Sequence, residues 1–170
     1  MHLDWKISIL TIVSTLVLML DYYHSPLLPW LKWFPGWDAT GLSMEILDRT
    51  LMYFIIPIFF ILVIFREDPK NYGYTLGNWK AGIVITLGAI ILVAPILWLV
   101  GSKVAAVQNY YKPMVTGLPW HTLLDLFGWE FLFRGWLLFG YAQKFGPDAL
   151  WLQAVPFALA HLGKPELETL

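Results

Sequence analysis

The stretch AGIVITLGAIILVAPILWLVG, residues 81–101, runs for 21 residues without a single charge. A run of about this length is what an α-helix needs to cross the hydrocarbon core of a bilayer. In that medium the backbone polar groups must be paired inside the segment, which a helix does. Four further segments resemble it. Residues 7–20 follow Lys6, 46–65 contain Pro57, 121–142 carry several charges, and 148–162 form a short fifth segment with Pro156 and His161. Proline inside such a run is compatible with a membrane helix. The first run ends in DYYHSP without a small-x-small cleavage pattern, which predicts a retained helix rather than a signal peptide.

The intervening stretches differ in kind. Residues 24–41 hold three prolines together with Trp30, Trp33 and Trp37. Proline bars a regular spanning helix, and tryptophan collects at membrane interfaces, so this stretch is expected to lie along the membrane surface. Residues 66–80 and 102–120 are polar connections with turn signals at Asp68-Pro69 and Tyr72-Gly73 and breaks at Pro113 and Pro119. The fold expected is all-α: a polytopic membrane bundle of about five segments plus an interfacial one, effectively one membrane domain. Charged residues make up 14% of the chain, against roughly 25% in soluble domains. The net charge of −1 supplies no reason for a nucleic-acid partner, and the bilayer is the partner expected. With no cysteine there is no disulfide, thiolate metal site or cysteine nucleophile. Lysines and arginines divide evenly between the two sides of the expected topology, so charge leaves the orientation open.

The fourth segment raises a separate question. Glu130 and Arg134 stand four residues apart and share a helix face. An unpaired charge at the bilayer centre costs at least about 2.5 kcal/mol. A structural ion pair that fixes helix packing is one reading, and Gly128 and Gly135 suit it because small residues let helices approach. A functional site is the other, because ionisable residues within membranes mark such sites. KFGPD, residues 144–148, predicts a hairpin between the fourth and fifth segments that brings His161 to a depth similar to that of Glu130. A histidine within reach of a buried glutamate can hold a metal, or polarise a carbonyl while the glutamate activates water. His121 and Asp125, and Asp48 and Arg49, read as interfacial residues.

WEFLFRGWLLFG followed by FALAH resembles the CPBP family of intramembrane proteases, which contains the CAAX prenyl endopeptidases and the bacterial Abi-type proteins. The family's Glu-Glu-x-x-x-Arg motif is matched by Trp129 to Arg134, with Gly135 following. Its Phe-x-x-x-His motif is matched by Phe157 to His161. The resemblance covers residues 118–165. It implies a helical catalytic core within 118–170, preceded by variable helices and an interfacial segment in 1–117. It further implies that Glu130 activates a water, that Arg134 orients Glu130, and that His161 stabilises the oxyanion or ligates a divalent metal such as zinc. Gly135 and Phe157 become motif packing residues. The substrate implied is a membrane-associated peptide or protein, either a prenylated tail or a bacterial peptide, and the location a bacterial plasma membrane. Two features depart from the family pattern. Trp129 stands where the first glutamate does, and no third motif, a His followed by Asn, comes after His161. The chain is therefore expected to be the front two-thirds of such a protein. Glu130 and His161 make at most two of the three protein ligands that a catalytic zinc takes. A non-catalytic membrane scaffold or immunity-type protein on the same fold is the alternative expectation.

Overall fold

The computed structural model describes residues 4–23, 41–112 and 120–162, with only the backbone at 41–45 and 120–121. The expected interfacial segment with its three tryptophans lies outside the described residues. Among the described residues the fold is all-helical, with no strand. Three helices are long and apolar enough to cross a membrane: Trp5–Tyr22, Ile46–Phe65 and Trp79–Lys103.

The first of these is α1 (Trp5–Tyr22), capped by Asp4, whose carboxylate accepts from the Lys6 and Ile7 amides. Such a cap satisfies amides that the first helical turn leaves unpaired. The second begins as α2 (Gly41–Thr50) and widens into a π-helical stretch, Leu51–Ile55. It narrows at α3 (Ile56–Phe59) and widens again over Phe60–Phe65. Arg66, in the left-handed region at φ 56°, ends it, and the Glu67 amide closes on the Ile61 carbonyl at 3.0 Å. The third is α4 (Trp79–Lys103), started by Asn78, which caps Ala81, and followed by α5 (Ala105–Tyr111).

The charged segment starts as α6 (Trp120–Glu130), continues as a nine-residue π-helix over Phe131–Phe139 and ends as α7 (Gly140–Phe145). It is long enough to span, but Asp125, Glu130 and Arg134 fall within 18 consecutive residues, and it is not one of the three apolar spans. A turn at Gly146, φ 56°, leads into α8 (Ala149–Leu159), which folds back on α7 and on the π-helix as the expected hairpin. Eleven residues extend only about 16 Å as an α-helix, short of the roughly 30 Å hydrocarbon core. Five expected segments thus become three full apolar spans, one charged helix and one short helix.

The described residues divide into two compact units. One gathers α1, α2, α3, α6, α7 and α8 around a core centred on Trp136. The Trp136 ring is fully buried and lies nearly parallel to Phe65, 5.6 Å away, and to Tyr72, 6.3 Å away. Its Nε1–H donates to buried Ser14 of α1 at 2.9 Å, and Ser14 donates in turn to the Leu10 carbonyl at 2.7 Å. A buried indole N–H requires such an acceptor. Gly140 is a contact point for α1: a Cβ there would stand 2.9 Å from the Leu10 methyls.

Polar ties fasten both ends of this unit. At one end Lys6 reaches both carboxylate oxygens of Glu67 at 2.7 Å, Tyr72 donates to Glu67 at 2.8 Å, and Lys144 pairs with Asp4 at 2.6 Å. Burial first, and the bond to Glu67 second, hold the Tyr72 phenol above its usual range, so it stays a neutral donor. At the other end Arg49 joins Asp21 to Asp125. The α1 start therefore meets the α7 end, and the α1 end meets α6, so α1 runs antiparallel to the charged helix.

The second unit contains α4 and α5. No residue of α4 is buried. Its 25 residues present apolar side chains on all sides, as a helix in lipid does.

Candidate functional site

Glu130 is the last residue of α6, where the helix begins to widen. The i, i+4 spacing survives the change: Arg134 Nη1 donates to Glu130 Oε1 at 2.6 Å. The pair is about half exposed, 55% for Glu130 and 50% for Arg134, unlike the buried residues on either side of Arg134. Glu130 Oε2 has no partner among the described residues, and most of the five guanidinium N–H donors are likewise uncommitted. The site thus offers a carboxylate acceptor and cationic donors side by side.

Arg134 also connects the two sequence motifs. Its guanidinium lies 5.3 Å over the Phe157 ring of α8, a cation–π distance. Phe157 in turn meets Phe133 edge-on at 5.2 Å. Phe157 thus touches both Arg134 and Phe133. Gly135 serves the connection after Phe65 rather than a second spanning helix: a Cβ on it would stand 3.2 Å from the Tyr72 carbonyl oxygen and 3.1 Å from the Phe131 ring.

Trp129 belongs to a different face. It stacks on Phe133 at 5.2 Å and meets Tyr53 edge-on at 5.4 Å. Adjacent helical residues diverge by about 100°, so Trp129 packs into the aromatic interior while Glu130 faces outward. His161 follows α8 in a turn, is partly buried and has an interaction partner; it falls in the other unit.

Glu130 and Arg134 open onto a groove of about 190 Å³. Tyr72, Tyr74, Phe127, Phe131 and Phe139 supply its apolar walls, and Gly73 and Gly135 its bare backbone. Gly73 has φ 78° and could not take a side chain in any case: its Cβ would lie 2.5 Å from the Phe139 ring.

Three or more His, Asp or Glu residues grouped to hold a metal do not occur among the described residues. Glu130 commits one oxygen to Arg134, and His161 lies in the other unit. These donors do not make the three-ligand set of a catalytic zinc.

The charged residues that matter most to the fold were the least visible in the sequence. Arg49, read as an interfacial anchor, bridges Asp21 at 2.9 Å and Asp125 at 3.3 Å, and Asp48 beside it is buried. Tyr53, on the same helix as Arg49, has a buried hydroxyl without a hydrogen-bond partner among the described residues. The available signal was positional: Asp21, Arg49 and Asp125 stand at helix ends that the alternating topology brings to one side. No family model matches this chain, and neither the curated proteins nor the solved structures contain a match.

Proposed function

We propose that the chain carries the glutamate helix of an intramembrane endopeptidase of the CPBP type. The observation behind this reading is the contact of Arg134 with both Glu130 and Phe157, which joins the two short motifs through one guanidinium. In the proposed reaction Glu130 takes a proton from a water molecule as the water oxygen bonds to a peptide carbonyl carbon. The C–N bond then breaks, and the proton passes to the leaving amine. Arg134 holds one carboxylate oxygen and leaves the other for the water. The reading carries with it a multi-pass location in a bacterial plasma membrane and a membrane-associated peptide or protein substrate.

New protein N-termini in membranes expressing the native protein provide the test, compared with the Glu130→Gln variant. The set of N-termini generated by the wild type should disappear in Glu130→Gln while the variant stays inserted at the same level. Identical profiles would remove Glu130 from any hydrolytic role.

A second reading, a non-catalytic scaffold on the same fold, is favoured by Trp129. Where the motif has its first glutamate, this chain has a ring stacked on Phe133 and Tyr53. Under that reading Glu130→Gln changes no N-terminus, and Trp129→Ala weakens the bundle.

A further inference from the structure

We propose that the groove beside Glu130 is a subsite for one aromatic side chain of a peptide, placed next to the amide bond that Glu130 and Arg134 address. The inference rests on the endopeptidase reading and adds a substrate preference to it.

Size is the first argument. The groove holds about 190 Å³. Ligand pockets for drug-sized molecules start at roughly 300 Å³, and a water occupies about 30 Å³ of liquid. The space therefore suits one side chain and is too small for an extended segment. Shape is the second. Phe127, Phe131 and Phe139 line it, and a ring set offset or edge-on against other rings gains more than its buried area alone supplies. The Tyr72 wall is fixed from behind, since its hydroxyl is tied to Glu67 and Glu67 to Lys6. Gly73 and Gly135 let the walls close on bare backbone: a methyl on Gly73 would meet the Phe139 ring at 2.5 Å, and one on Gly135 the Phe131 ring at 3.1 Å.

Charge decides between a peptide and an acyl chain. At the rim Glu130 Oε2 accepts and the uncommitted N–H groups of Arg134 donate. An amide presents a C=O to the Arg134 donors, and an N–H that Glu130 Oε2 accepts directly or through the water it activates. A lipid tail would fill the apolar part and leave the remaining Glu130 oxygen and Arg134 N–H groups without a partner in the groove.

The absence of cysteine makes the groove directly testable. Tyr74, 58% exposed on the rim, can be replaced as Tyr74→Cys to give the chain its single thiol. Labelling of that thiol by a maleimide is followed in micelles with N-acetyl-phenylalaninamide or N-acetyl-alaninamide present. At about ten times its Kd the aromatic amide should slow labelling by about tenfold, and the alanine amide should leave the rate unchanged. Adding Phe139→Ala should remove the protection. Trp151→Cys, on the exposed face of α8, should label at one rate throughout. Should Tyr74→Cys not fold, Phe127→Cys on the wall reports the same occupancy. Equal protection by the two amides, protection by neither, or protection that survives Phe139→Ala overturns the proposal; the second would point to detergent or lipid filling the groove. The readout is occupancy without turnover. A failed Glu130→Gln cleavage test therefore leaves protection standing, and absent protection leaves the cleavage result standing.

Discussion

Arg49 and Arg134 belong to the same bundle, and both pair with carboxylates, yet they differ in what the pairing joins. Arg49 is 20% exposed and contacts Asp21 and Asp125, which lie 28 and 76 positions away on two other helices. Arg134 is 50% exposed and contacts Glu130, four positions away on its own helix. Removing the first would unfasten three helices. Removing the second would detach no helix from another apart from its contact with Phe157. The pair that the sequence advertises most loudly thus contributes least to assembly, and this makes it the stronger candidate for function. A half-exposed ion pair of i, i+4 type stabilises by only a few tenths of a kcal/mol.

The sharpest way to break this contrast is Arg49→Ala. It removes the cation that Asp21 and Asp125 share, and breaking a buried pair from one side costs about 3 kcal/mol. Unfolding in mixed micelles should report a loss of that size. A loss no larger than that of a surface substitution would mean that Arg49 is not the tie described. Arg134→Gln should sharpen the comparison from the other side. Its unfolding free energy should fall by about 0.5 kcal/mol or less, while any activity that depends on the orientation of Glu130 falls with it. A stability loss matching that of Arg49→Ala would return the Glu130–Arg134 pair to the structural category.

The smallest effect concerns the other end of α1. The hydrogen bond from Lys144, and after it that from the Ile7 amide, hold the Asp4 carboxyl below its usual range. A depressed carboxylate stabilises the fold above its unfolded value, near 3.9, and loses that contribution as pH falls through the folded value. The protection factor of the Ile7 amide, corrected for intrinsic exchange, should therefore hold at pH 5 and fall only below pH 4. Asp4→Asn should flatten that dependence.

Much of the fold could be read from apolar runs alone. Residues 7–20, 46–65 and 81–101 each became a helix of spanning length because burial in lipid depends on composition and length, which are local properties. The hairpin at 144–148 was local too, and Gly146 supplies its turn. The ties between helices were not legible. Lys144 pairs with Asp4 across 140 positions and Lys6 with Glu67 across 61, and no periodicity encodes a partner at such distance. The Glu130–Arg134 pair was legible because its spacing is one helical turn. The groove beside it was not, since Tyr72 and Gly73 come from a polar connection whose course depends on the bare backbone of Gly135. The expected Glu130–His161 relationship joins residues of separate units.

The π-helix over Phe131–Phe139 has a consequence for how the motif is counted. An α-helix closes its hydrogen bonds at i−4 and a π-helix at i−5. Each wide turn therefore consumes one more residue before the chain returns to the same heading. The effect resembles a frameshift in the helical wheel: residues before Phe131 and after Phe139 are both α-helical, but their faces are no longer in phase. A wheel drawn with one constant step through the whole motif would set Trp136, Gly140 and Tyr141 at wrong angles to Glu130. In the wide-turn frame Trp136 turns inward to Ser14, and Gly140 and Tyr141 meet α1 at Leu10 and Thr11. The distance in sequence between two motif letters is thus a count of residues, and the angle between them is set by the turns in between.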